Sequence, residues 1–364
     1  MADPISPRFP QFTRELTNSR LIASALGVAL LAAPFGGAVA QGSCGGARVG
    51  TPQCNTTPGK APFAPTGWKT VALDHFTIHA VDYKKEAAYY MALMNWKLRS
   101  DDGRQAVLDV GDIGTVVIVG GYTPPPPAGP GGAGGRGPAQ QTWDSFSWQI
   151  SPWNARVVGA ELKKRGLNPV VANEGPKGCE GFRIKDPDGF DLVLTNGCYA
   201  NERKRAPKPV GSWTQPAPFE NTNWKTVWLD HISFQVSDYK GEVAFYEALM
   251  SWKPRGDEGS QNEVWMCDDC GNSLIRGGNS LAPNFDASAQ RRANINHVSF
   301  GFTPFDSHGT LNELEKRGLA HRADTGARGD IHSDSTNYKS YHTTTPQGFD
   351  LQISNATKAN RTVR

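Results

Sequence analysis

Apolar and polar residues alternate along several short segments of the chain, a pattern typical of β-strands that are buried on one face. A helical pattern follows the first strand of each unit, as in Lys240–Trp252, and three further short strand-like runs complete the unit. This order of strand, helix, strand, strand, strand occurs four times. The pattern therefore predicts an α+β fold built from four βαβββ modules.

An internal repeat groups the four modules into two homologous halves. Trp68–Gly103 and Trp224–Gly259 are identical at 21 of 36 positions, each residue reappearing 156 positions later. Such self-similarity indicates a duplicated structural unit, so we expect two tandem domains. The expected segments are a signal peptide over 1–40, an N-terminal extension over 41–65, a first domain over 66–200, a linker over 201–222 and a second domain over 223–357.

The first forty residues have the layout of a cleaved secretory signal. Three arginines precede an apolar run over 21–33, and the small residues Ala38-Val39-Ala40 follow it. A helix of that length rises only about 20 Å, against a hydrocarbon core of roughly 30 Å. An uncleaved membrane anchor is the alternative interpretation. We expect an exported protein, periplasmic or extracellular, without stable membrane insertion after cleavage.

The six cysteines form an even set, which suits an oxidising compartment. Their spacing suggests three local disulfides: 44 with 54, 179 with 198, and 267 with 270. Cys179 and Cys198 flank a predicted hairpin, and counting outward from its turn places them nearly opposite each other. Cys267 and Cys270 are either a turn-closing disulfide or half of a zinc site, and no second ligand pair follows at zinc spacing.

The charge balance excludes a dedicated nucleic-acid binder. Thirty-eight basic and 35 acidic residues leave a formal net charge of +3, far from the one-sided basic surface that such proteins carry. The polar sides of the predicted strands indicate a small-molecule partner instead, because a structural core would not choose such residues but a wet ligand cavity would. In the second half these sides hold His231, Ser233, Gln235, His297, Ser299, Asp350 and Gln352.

The module pattern, with Leu-Asp-His in the first strand and Asp186–Leu192 near the end of the first half, resembles the vicinal oxygen chelate superfamily. This group includes glyoxalases, bleomycin-resistance proteins and extradiol dioxygenases. The resemblance covers residues 66–356 and implies two tandem domains with curved mixed sheets whose concave faces hold ligands. Because these folds pair modules both within a chain and across a dimer, a homodimer stays open.

The resemblance also implies a metal site in the second domain. The matching ligand positions are His231, His297 and Gln352, and they would hold a divalent ion such as Fe(II), Mn(II) or Zn(II). Extradiol dioxygenases carry a carboxylate where this chain has Gln352. The first domain is predicted to be metal-free, because the positions that face its first-strand histidine offer no further ligand.

Two functional hypotheses follow from these residues. In the first, the protein is a metal-dependent dioxygenase or lyase acting on a small oxygen-rich molecule. Counting back from the closing strand places Tyr341 beside Gln352 as the proton donor and points His342 away. Ser233, Gln235, Ser299 and Asp350 are the candidate ligand-binding residues. In the second hypothesis, the same cavity belongs to a non-catalytic small-ligand-binding protein.

The expected signal peptide gives a testable prediction about the mature N-terminus. The mature chain should begin near Gln41, because the small-residue sequence before it matches the cleavage pattern of secretory signals. Mass spectrometry of the protein recovered from an exporting host measures the N-terminus directly. An intact Met1 start would contradict the prediction.

Overall fold

The structure, a computed structural model, describes residues 54–124, 141–173, 175–286, 293–324 and 338–362. The expected signal peptide and Cys44 lie outside the described residues. The first half begins with β1 (Lys69–Ala80), α1 (Tyr83–Met94), β2 (Lys97–Asp101), β3 (Gln105–Val110) and β4 (Gly114–Val119). It continues with β5 (Gln141–Ser151), α2 (Ala155–Lys164), β6 (Val170–Val171), β7 (Gly181–Lys185), β8 (Asp191–Thr195) and α3 (Cys198–Glu202).

The second half repeats this order. Its first module consists of β9 (Lys225–Asp238), α4 (Tyr239–Met250), β10 (Lys253–Asp257), β11 (Gln261–Cys267) and β12 (Gly271–Gly278). Its second module consists of β13 (Asn294–Thr303), α5 (Ser307–Lys316), β14 (His321–Asp324), β15 (Ser340–Thr344), β16 (Asp350–Ser354) and α6 (Lys358–Thr362). The predicted α+β fold of four βαβββ modules is confirmed.

The described strands form two mixed eight-stranded sheets with identical topology. Their orders are β2-β3-β4-β1-β5-β8-β7-β6 and β10-β11-β12-β9-β13-β16-β15-β14. In each sheet the two long first strands pair antiparallel at the centre, and each also pairs parallel with the closing strand of a module. This arrangement brings the polar sides of four adjacent strands together on one face.

One hydrophobic cluster runs through both halves and lies on the apolar faces of the sheets. Equivalent residues connect the halves reciprocally. The Trp96 indole donates to the hydroxyl of Thr226 at 2.9 Å, and the Trp252 indole donates to Thr70 at 2.8 Å. Each partner lies 156 residues from its counterpart, so the sequence duplication is also an approximate symmetry of the contacts.

Two of the expected disulfides are present, Cys179–Cys198 and Cys267–Cys270. Cys198 begins α3 instead of extending the closing strand, but it still reaches Cys179. No helix among the described residues has the length and apolar character needed to cross a bilayer.

Buried carboxyl groups lie where helices of one half meet turns of the other. The Glu86 side chain of α1 is fully buried and accepts a hydrogen bond from the backbone of Gln347 at 3.2 Å. Burial raises the pKa of Glu86 to about 7. In α4, burial and the neighbouring Asp186 carboxyl raise the pKa of Glu242 well above its usual range. Both glutamates therefore hold protons that the unfolded chain would release.

These carboxyl groups predict a loss of stability as the pH rises. The native state binds more protons than the unfolded state, so each group lowers the unfolding free energy by about 1.4 kcal/mol per pH unit between its unfolded and folded pKa values. For Glu86 that window runs from pH 4.5 to about 7. Glu86→Gln should flatten the dependence there, and Glu242→Gln should flatten it at higher pH. Denaturant unfolding from pH 5 to 8 measures the pH dependence of the unfolding free energy.

Glu247→Gln is the matched control, because Glu247 is exposed on the same helix as Glu242. Its pH dependence should equal that of the wild type. A wild-type stability that is constant or rises from pH 5 to 8 would contradict the buried-proton account.

Candidate metal centre

The strand register brings the three predicted metal ligands onto the polar face of the second sheet. His231 on β9 lies opposite Ser299 on β13, and Ser299 lies beside Gln352 on β16. His297 lies two residues before Ser299 and opposite Ser233. All these side chains are buried, at 8% exposure or less. Their common face follows from the two-residue period of a strand.

Asp230 fixes the orientation of His231 from a bulge in β9. The register shifts between Ser299–His231 and Phe300–Leu229, which leaves Asp230 as the extra residue. Its Oδ2 atom accepts from His231 Nδ1 at 3.1 Å and from Ser299 Oγ at 3.0 Å. A carboxylate has no proton to donate, so His231 carries its hydrogen on Nδ1 in this contact.

The Asp230 carboxylate is held ionised by its other partners. The Tyr338 hydroxyl donates to Oδ2 at 2.7 Å, and Arg361 Nε lies 2.7 Å from Oδ1 as an ion-pair contact. Burial by itself would raise the pKa of Asp230, but the Arg361 guanidinium and the His231 ring outweigh it and hold the pKa well below its usual range. Arg361 also donates to Glu263 at 2.9 Å.

The two predicted histidine ligands face each other through their Nε2 atoms, which are 2.9 Å apart. His297 Nδ1 lies 2.8 Å from Asn296 Oδ1, a position that suits an N–H donor. Burial and the neighbouring His231 and His342 lower the pKa of His297 to about 2, so its ring is neutral. With hydrogen on Nδ1 of both rings, the two Nε2 atoms present lone pairs to each other. A proton or a metal ion between them would satisfy both nitrogens.

Gln352 offers an oxygen to the same face. Its amide nitrogen donates to Tyr338 at 3.0 Å and to Ser340 at 2.8 Å. Its Oε1 atom is buried and has no hydrogen-bond partner among the described residues. Leaving a buried acceptor unpaired costs about 1–3 kcal/mol. A cation on this face would satisfy it.

A second donor set shares His297. Ligand atoms of His297, His342 and Asp350 all lie within 4.8 Å of one another. However, both His342 nitrogens are already engaged, Nδ1 with Asp350 at 2.6 Å and Nε2 with Asp324 at 3.1 Å. Burial alone would lower the pKa of His342, but these two carboxylates outweigh it and raise the pKa. In this arrangement both His342 nitrogens are occupied, so the ring is not free to bind a metal.

Tyr341 lies away from the site, and the predicted register of β15 is wrong by one residue. His342 pairs with Gln352, whereas Tyr341 pairs with Ile353. The Tyr341 ring is buried in the hydrophobic core, and its hydroxyl donates to the backbone oxygen of Ser307 at 3.0 Å. His342, expected to point away, therefore stands on the polar face in its place.

The four predicted ligand-binding residues all belong to strands of this face. The hydroxyl of Ser233 is buried without a hydrogen-bond partner among the described residues. Ser299 is committed to Asp230, and Asp350 to His342. The amide of Gln235 donates to the Arg276 backbone at 3.4 Å. Their role in binding a ligand stays a prediction.

Sequence reasoning missed the groups that surround the imidazoles. Asp230, Asn296, Tyr338 and Arg361 orient the ligand side chains but repeat at no spacing typical of a metal motif. One signal was available, because Leu-Asp-His recurs in both halves and its aspartate bonds the following histidine each time.

The equivalent position of the first half has different chemistry. His75 Nδ1 lies 2.7 Å from Asp74, as His231 does from Asp230, but His75 Nε2 faces the hydroxyl of Ser147 at 3.0 Å. A hydroxyl can donate to that nitrogen, so no added cation is needed. A cavity of about 600 Å³ opens beside His75, with Asp144 and Arg183 in its wall.

Comparison with solved structures establishes the fold. The chain is similar to a Mn(II)-bound glyoxalase from Novosphingobium aromaticivorans, at 16% identity and a TM-score of 0.53 over 79% of this chain and 82% of that one. It is also similar to a single-residue variant of homoprotocatechuate 2,3-dioxygenase from Brevibacterium fuscum. The identity is 13% and the TM-score 0.51, and the match covers 84% of this chain and 74% of that one. A catechol 2,3-dioxygenase matches at 13% identity and a TM-score of 0.51, over 79% of this chain and 88% of that one.

No protein-family profile and no curated protein matches the sequence. At these identities the structural matches define the fold alone. The chain has the vicinal oxygen chelate fold in two tandem domains, as the sequence pattern predicted.

The Asp230–Arg361 pair makes a stability prediction. Arg361→Gln should lower the free energy of unfolding by about 3 kcal/mol or more, because it leaves a buried carboxylate without its cation. Lys358→Gln is the control on the same helix, since Lys358 pairs with the exposed Asp269 and should matter by less than about 1 kcal/mol. Denaturant unfolding measures both. Equal losses in the two variants would contradict this assignment.

Proposed function

We propose that the second domain binds a divalent metal ion and that the protein is an exported dioxygenase or lyase acting on a small oxygen-rich molecule. The observation that carries the proposal is the pair of imidazole Nε2 atoms facing each other at 2.9 Å. Metal–nitrogen bonds of about 2.0–2.1 Å place neighbouring ligand atoms about 2.9 Å apart when they meet at a right angle. The spacing of His231 and His297 therefore suits two ligands of one ion.

The donor set fits a first-row divalent ion. Imidazole nitrogens suit Fe, Mn and Zn, and the buried amide oxygen of Gln352 supplies a third, neutral donor. Two neutral imidazoles and one neutral amide leave the full charge of the ion uncompensated by its ligands. Such a site favours a substrate that brings negative charge, such as a deprotonated diol or an enediolate.

The chain's own residues would orient the ligands and hold protons. Asp230 fixes the His231 ring, and Tyr338 and Ser340 fix the Gln352 amide. His342 packs edge-on against His297, with ring centroids 4.9 Å apart, and its raised pKa favours a protonated ring beside the site. When bound, the ion would supply positions for substrate oxygens and, as iron(II), for dioxygen.

A metal-free binding protein is the second candidate function, and the neutral Gln352 favours it. A single proton between His231 and His297 would also satisfy both nitrogens, and a hydrogen-bonded ligand would then occupy the polar face. Export is compatible with either function. The two disulfides and the predicted signal peptide favour it.

Metal titration of site variants tests the proposal. The mature protein should bind one Mn(II) or Zn(II) per chain, and His231→Ala should abolish binding. His342→Ala should retain it, because His342 belongs only to the competing donor set with Asp350. Gln352→Glu should raise the affinity by adding an anionic ligand. Isothermal titration and metal analysis give the stoichiometry.

His75→Ala is the matched control, because His75 occupies the equivalent position of the first domain and should not affect uptake. Loss of binding in His342→Ala but not in His231→Ala would move the ion to the competing set. No binding above background in the wild type or in Gln352→Glu would reject the metal-dependent enzyme and leave the binding protein.

A further inference from the structure

A cation without a side-chain partner among the described residues lies on the polar face next to the candidate metal centre. Arg276 on β12 is half-buried, and its buried Nε atom has no hydrogen-bond partner among the described residues. Within those residues its guanidinium also forms no ion pair at 4 Å or less. Arg361, another arginine of this region, by contrast forms ion pairs with Asp230 and Glu263.

The strand register points Arg276 to the same side as the predicted ligands. Arg276 pairs with Gln235 on β9, two residues after Ser233, and Ser233 pairs with His297. The positive charge of Arg276 contributes to the low pKa of His297, which places the guanidinium within electrostatic reach of that ring. The Asp324 carboxylate acts electrostatically on both groups.

A half-buried guanidinium without a counter-ion is costly. Burial lowers the pKa of Arg276, and the more distant carboxylates of Asp324 and Glu258 only partly offset this. Arg remains charged in proteins, so the group cannot escape the cost by releasing its proton. A bound anion would remove the cost.

The duplicated first half shows that the arginine is not needed by the fold. Gln235 in the second half is the counterpart of His79 in the first. His79 pairs with Val119 on β4, whereas Gln235 pairs with Arg276 on β12. An apolar residue therefore serves the same strand position in the same topology. The charge belongs to the site of the second half.

We propose that Arg276 binds a carboxylate group of the small molecule that occupies the second domain, so that the ligand is a carboxylic acid and not a neutral diol. This inference rests on the proposed function for the location of the ligand, although it does not require the metal. The planar guanidinium fork matches a carboxylate in two parallel hydrogen bonds. The carboxylates of Asp324 and Glu258 disfavour a doubly charged phosphate more than a singly charged carboxylate.

A matched pair of probes tests this assignment without metal chemistry. 4-Hydroxybenzoate and 4-methylphenol differ by a carboxylate in place of a methyl group, and neither is a diol. Isothermal titration of the mature wild-type protein should show at least about a tenfold preference for the carboxylate, the effect expected for a charged hydrogen bond. Arg276→Gln should reduce the preference to less than about threefold.

Two further variants complete the experiment. Arg322→Gln is the control, because Arg322 is an exposed arginine beside Asp324 and should leave the preference unchanged. Arg276→Met keeps the aliphatic stem and replaces Arg276→Gln if the latter does not fold, as judged by thermal unfolding. Absence of a carboxylate preference in the wild type, or its survival without Arg276, would overturn the proposal.

The result is separable from the test of the metal site. A carboxylate preference that depends on Arg276 in a protein that takes up no metal would support this assignment and reject only the metal-dependent enzyme. Metal uptake by a protein that does not distinguish the two probes would support the metal site and reject the assignment of Arg276 as a carboxylate-binding residue.

Discussion

The hydrogen bonds that hold the two site histidines constrain the chemistry of the second domain. Asp230 and Asn296 occupy the Nδ1 atoms of His231 and His297, so that both Nε2 lone pairs meet at 2.9 Å. With hydrogen on both Nδ1 atoms, a proton or a metal ion between the Nε2 atoms would stabilise that arrangement. Arg361 matters for the same reason, because it keeps Asp230 ionised and able only to accept.

The two halves share the fold but differ in this constraint. Both halves place an aspartate before the first-strand histidine, and both bury the same strands around one hydrophobic core. The difference lies in the facing residue. Ser147 can satisfy His75 with a hydroxyl proton, whereas His297 meets His231 with a second lone pair. Substitutions on the polar face thus change the chemistry without changing the topology.

The sequence predicted the module order, two disulfides and the face shared by His231, His297 and Gln352, because strand alternation and a long repeat are strong local signals. It could not predict the register across the 345–348 turn, where a slip of one residue exchanges the faces of Tyr341 and His342. Asn296 and Arg361 escaped prediction because their roles depend on three-dimensional neighbours. Arg276 carries no distinguishing sequence signal, because only the structure shows that its Nε atom has no hydrogen-bond partner among the described residues.

The central claim is that the Nε2 atoms of His231 and His297 bind one metal ion. Locating the ring hydrogens of these two residues tests it most directly. Long-range proton–nitrogen NMR of ¹⁵N-labelled protein loaded with diamagnetic Zn(II) distinguishes Nδ1–H from Nε2–H. We predict hydrogen on Nδ1 of both rings, with both Nε2 resonances shifted by metal binding. Hydrogen on Nε2 of either ring in the presence of saturating Zn(II) would contradict it, because that nitrogen would then be bridged by a proton and not by an ion.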